Sequence, residues 1–106
     1  MSGKLVGDVL RYAPADLTVA ERFVLVALAE SARDADRTSR TNVRAIAEGT
    51  GLAQGTVKNA LSELRARLLI VPQGIAHRGH AQDYRLAQLE AYHRAATART
   101  AHREAS

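Results

Sequence analysis

The sequence predicts a mainly helical domain that carries one small β-hairpin. Three observations predict it. A glycine-containing stop, Glu48-Gly49-Thr50-Gly51, separates two segments of helical apolar spacing. In the second of these, Val57, Leu61, Leu64 and Leu68 recur every three or four residues. Two short β-rich runs follow, joined by a basic loop with turn signals at both ends.

At the amino terminus Leu5, Val6, Val9 and Leu10 form a short apolar stripe, the mark of a first helix. Pro14 ends it, because proline disfavours helical geometry in the residue before it. Thr18 and Glu21 then have the spacing of a capping box, in which the hydroxyl reaches forward to an amide and the carboxylate reaches back. This opens a helix of about four turns from Val19. Its run from Phe23 to Ala29 is apolar all round, so it is expected to be covered on several sides, by the first helix or by a second subunit. The stretch from Arg33 to Arg40 is polar and without periodicity. It reads equally as a solvated connector and as a phosphate-gripping run, since Arg37, Arg40 and Arg44 stand just before or inside the next helix.

That next helix is short. Val43, Ile46 and Ala47 share one face, Thr41 or Asn42 can cap its first amides, and Gly49 or Gly51 can take the positive φ that ends it. Leu52 anchors the turn. In the longer helix beyond, the leucine stripe faces inward, and Gly55, Lys58, Asn59, Ser62 and Ala66 lie opposite. Small, amide, hydroxyl and single-cation side chains suit close approach to base edges, since bulk would hold a helix out of the groove.

Leu69-Ile70-Val71-Pro72 is too short for a helix and rich in β-formers, and Asp83-Tyr84-Arg85-Leu86 alternates as a returning strand, with Tyr84 and Leu86 on one face. The loop between them holds His77, Arg78 and His80, chemistry suited to a phosphate strand or a minor groove. A short helix, a glycine turn, a longer helix and a hairpin with a basic loop are, in that order, a winged helix-turn-helix. Residues 1–86 form this domain with its extra amino-terminal helix. Residues 87–106 are an alanine-rich helical tail with a frayed end, which Leu89, Tyr92 and Ala96 dock on the core or a partner.

Composition bounds the function. A chain of 106 residues, 46% of them hydrophobic, can bury one modest core. A formal charge of +4 and a pI near 10.1 favour an anionic partner. Without cysteine there is no disulfide framework, thiolate metal site or thiol nucleophile, which fits a reducing interior. No run approaches a membrane span and the amino terminus lacks a signal-peptide pattern, so a soluble cytoplasmic protein is expected. His77 and His80 are three apart, but no cysteine or carboxylate cluster completes a metal shell. Asp83 with His80, or Glu63 with Ser62, could be drawn as acid–base pairs. No nucleophile or phosphate loop accompanies them, so neither enzyme activity nor a cofactor is expected.

The run from Leu17 to Leu86, about two-thirds of the chain, resembles the winged helix-turn-helix domains of bacterial GntR-like and MarR-like regulators. It also resembles the DNA-binding domains of replication initiators on actinobacterial plasmids and phages. The residues that carry the resemblance are Leu17-Thr18-Val19-Ala20-Glu21-Arg22, Ile46-Ala47-Glu48-Gly49-Thr50-Gly51-Leu52 and Thr56-Val57-Lys58-Asn59-Ala60-Leu61-Ser62-Glu63-Leu64. It implies that Gln54, Thr56, Lys58, Asn59 and Ser62 face DNA and that Arg78 is a wing arginine. Two positions depart from the pattern. Ala53 stands where a capping Ser or Thr is common, and Leu68 where glycine often ends the helix, so a left-handed end there would be strained.

The expected function is therefore sequence-specific binding of duplex DNA, by a small transcriptional regulator that acts through site occupancy. A replication, partition or transfer accessory of a plasmid or phage, and a protein-interaction winged helix, remain as alternatives. Lys58 and Asn59 would read base edges, and Arg37, Arg40, Arg44 and Arg78 would grip phosphates. One such module reads only a few base pairs, so a homodimer on a palindrome or a cooperative array on repeats is the expected assembly.

Overall fold

The computed structural model describes residues 3–74 and 82–105, with side chains as far as residue 98. Five helices and a three-stranded antiparallel sheet follow in the order α1 (Gly3–Tyr12), α2 (Val19–Ser31), β1 (Thr38–Ser39), α3 (Val43–Thr50), α4 (Gln54–Ala66), β2 (Ile70–Gln73), β3 (Asp83–Leu86) and α5 (Leu89–Ala105). None of these helices is long and apolar enough to cross a membrane.

Two helix starts have a side-chain cap as their local cause. The Thr18 hydroxyl accepts from the Glu21 amide at 3.1 Å, and the Glu21 carboxylate accepts from the Thr18 amide at 2.9 Å, so the capping box opens α2 as its spacing predicts. Asn42, rather than Thr41, caps α3, its Oδ1 accepting from the Ala45 amide at 2.7 Å. Gly51, not Gly49, takes the left-handed turn after α3, with φ 77°. Ala53 begins α4 with no side-chain cap at all.

α2 is the central helix. α1, α3 and α4 all pack on it, and Val24, Leu25, Leu28 and Ala29 are fully buried there. The apolar run is nonetheless not covered all round. Val19 and Phe23, one turn apart, stay 72% and 51% exposed, because α1 and the α3–α4 pair take the other faces. α1 also packs on α5, where the Tyr12 and His93 ring centroids lie 5.7 Å apart and Leu89 is buried.

β3 is the middle strand. It pairs with β2 from Ile70↔Leu86 to Gln73↔Asp83, and with β1 through Thr38↔Arg85 and Ser39↔Tyr84. Pro72 is tolerated because β2 is an edge strand. β1 overturns the expectation of an irregular connector between Arg33 and Arg40. Two residues are too few to show alternation. The strand exists because β3 offers a free edge and because the Ser39 side chain, fully buried, hydrogen-bonds Ser31.

The end of α4 is a second departure. Leu68 does not extend the inward stripe. It takes φ 62° and is 69% exposed, while the buried stripe is completed by Ala60 and by Leu69 beyond the helix. The Leu68 amide donates to the Arg65 carbonyl and the Leu69 amide to the Leu64 carbonyl, both at 3.0 Å. That is a Schellman closure with leucine in the position usually held by glycine.

Candidate nucleic-acid interface

α4 turns its apolar side to the core and leaves its polar side open. Val57, Ala60, Leu61 and Leu64 are buried, whereas Gln54, Thr56, Lys58, Asn59 and Ser62 are all exposed. None of those five side chains bonds to another described residue. The structure thus leaves exposed on one helix the five residues expected to face DNA, Lys58 and Asn59 among them as the expected base readers. Gly55 and Ala66, also exposed, keep the middle of that surface low.

The two flanks differ in charge. At about 100° per residue, Lys58 and Arg65 project within about 20° of each other, and Asn59 and Glu63 within about 40°. Neither Lys58 nor Arg65 has an ion-pair partner among the described residues, and both are exposed. On the other flank, Asn59 and Thr56 line a shallow cleft with Thr18 and Glu21 at the start of α2. Farther along, Arg67 holds the Asp16 carboxylate through two bonds, at 2.9 and 3.0 Å, and the Glu63 carboxylate at 3.2 Å. These bonds draw the Asp16 carboxyl below its usual value of 3.8, chiefly through hydrogen bonding by Arg67, and raise the Arg67 guanidinium. One flank is basic and unengaged, and the other is richer in carboxylates and tied through Arg67 to Asp16 in the α1–α2 connection.

The arginines expected on phosphate fare differently. Arg44 is exposed on α3 and ion-paired to Glu48 at 3.2 Å. Arg40, also exposed, reaches the Asp83 carboxylate at 3.3 Å. Arg37 is not brought to the α4 surface. It has φ 55°, its Nε donates to the Leu86 carbonyl at 3.1 Å, its own carbonyl accepts from the Leu86 amide at 2.9 Å, and it lines a cleft with Lys4 and Asp8 of α1 and Glu90 of α5. Arg37 therefore finishes the sheet edge. His77, Arg78 and His80 lie outside the described residues.

Arg65, on the same flank as Lys58, is not among the residues that the sequence singles out. Its spacing from Lys58, seven residues or two turns, was the available signal. Among the described residues no group of three or more His, Asp or Glu could hold a metal ion. In comparisons with known proteins, the chain matches no protein-family model, no curated protein and no solved structure.

Proposed function

We propose that this chain is a duplex-DNA-binding protein with a winged helix-turn-helix architecture, acting as a small transcriptional regulator by occupying its site. The observation that carries the reading is the exposed, unengaged row Gln54, Thr56, Lys58, Asn59 and Ser62 on a helix whose opposite face is buried. The surroundings support it. α3 precedes this helix through the Gly51 turn, and the antiparallel β2–β3 pair follows. In the proposed complex α4 enters the major groove, Lys58 donates to guanine and Asn59 pairs with adenine, each worth about 1–3 kcal/mol of discrimination. Arg40 and Arg44 exchange their carboxylates for phosphates at the groove edge.

The test is a titration of the full chain with a random-sequence duplex at low salt, followed by recovery of bound fragments from the parent genome. Binding that weakens steeply with salt and enriches one sequence supports the reading. No binding at about 50 mM salt overturns it in favour of a protein-interaction domain. Enriched tandem repeats, in place of promoter sites, would move the role to replication, partition or transfer.

A further inference from the structure

We infer that Arg65 is a phosphate anchor, so that the DNA-contacting surface of α4 extends along the basic flank from Lys58 to Arg65, with α4 tilted just enough for that flank to meet the backbone while Lys58 and Asn59 still face the bases. The inference rests on the DNA-binding reading above and adds to it a residue and a tilt. Three features carry it. Arg65 is exposed and has no ion pair among the described residues, unlike Arg40, Arg44, Arg67 and Arg94, each of which holds a carboxylate. It projects on the same side as Lys58, about 10 Å farther along the axis. The opposite flank carries the carboxylates Glu63, Asp16 and Glu21 against the cation Arg67, which is already engaged by two of them, so that phosphate would meet net like charge there.

These facts tilt α4 in the groove toward its Lys58 side. The amino-terminal residues of a recognition helix reach base edges, so a cation two turns past Lys58 lies where the helix leaves the groove and meets the backbone. Its contact is with the phosphodiester and carries no sequence information.

The experiment is fluorescence anisotropy of the full chain on a random-sequence duplex and a selected duplex, between 50 and 200 mM salt. Arg65→Gln should weaken both duplexes alike and reduce the slope of log affinity against log salt by about 0.9. Its loss relative to the parent protein is then about 3.5-fold larger at 50 mM than at 200 mM. Arg65→Lys should keep the slope. Arg11→Gln removes the same charge from α1, whose main packing partners are α2 and α5, and should leave the slope unchanged. An unchanged slope in Arg65→Gln overturns the inference, as does an equal change in Arg11→Gln or a loss confined to the selected duplex. Absence of binding by the parent protein overturns the DNA reading itself, a different result from a parent that binds and an Arg65→Gln variant that binds identically.

Discussion

The Leu69 amide donates to the Leu64 carbonyl at 3.0 Å, so the end of α4 closes over Leu68, which is left in a left-handed conformation at φ 62°. Left-handed backbone costs a leucine about 1–2 kcal/mol, and its exposed side chain recovers little of that by packing. Leu68→Gly relieves the strain but adds freedom to the unfolded chain, which offsets about half of the gain. The expected net effect is a stabilisation of about 0.5–1 kcal/mol, read as a higher urea midpoint at unchanged slope. A lower midpoint would mean that the leucine side chain makes a contact worth more than its strain.

The starts of α3 and α4 give the opposite pair of changes. Asn42→Ala removes the bond to the Ala45 amide and should cost about 1 kcal/mol. Ala53 already has the extended backbone of a cap, φ −68° and ψ 150°, without a side chain to use it. Ala53→Ser should therefore stabilise by up to about 1 kcal/mol, and thermal unfolding of both variants checks the two signs together.

Features whose causes lie within a few residues were legible in the sequence. The Thr18–Glu21 box, a glycine stop within Gly49 to Gly51, and the outward face with Lys58, Asn59 and Ser62 depend on local spacing, and the structure has them there, with Gly51 taking the left-handed turn. β1 was not legible, because its stability comes from the distant edge of β3 and from the Ser31–Ser39 bond, neither of which marks a two-residue stretch. Leu68 misled for a related reason. Counting apolar residues at helical intervals presumes that the chain is still helical, and here it had already turned. Arg37 reads as a free cation in sequence and becomes a sheet fastener only when Leu86, far along the chain, arrives beside it.

Asp16 links the α1–α2 connection to the end of α4, and its carboxyl is held below the usual 3.8 by Arg67. Its contribution to stability is therefore complete above that usual value and is lost as pH falls through the lower folded-state value. Asp16→Asn should be less stable than the parent protein at pH 7, and the difference should vanish in strong acid. Urea midpoints measured at pH 7 and across the range below 4 test this, and a gap that persists at the acid end would contradict it.

On the proposed DNA-binding reading Lys58 and Asn59 face base edges and Arg44 faces a phosphate, so the first two should fail differently from Arg44. Lys58→Ala or Asn59→Ala should narrow the affinity gap between selected and random duplexes by about 1–3 kcal/mol. Arg44→Ala should weaken both duplexes equally. Competition titrations with the two duplexes separate these outcomes, and a uniform loss in the Asn59 variant would remove that residue from base reading.

Glu48 holds Arg44 at 3.2 Å, and on the proposed DNA-binding reading a phosphate has to displace it before Arg44 can contribute. An exposed pair of this kind is worth less than about 1 kcal/mol, so the carboxylate is a weak competitor that also repels the DNA backbone at short range. Glu48→Gln should therefore tighten binding to any duplex by roughly two- to fivefold, since 1.4 kcal/mol corresponds to tenfold. Glu90→Gln makes the same change beside Arg94 on α5 and provides the comparison, because it alters the net charge equally without freeing a cation on α3. Equal tightening by both variants would reduce the effect to net charge, and tightening by Glu48→Gln alone that disappears when Arg44→Ala is added would identify Arg44 as the cation that Glu48 restrains.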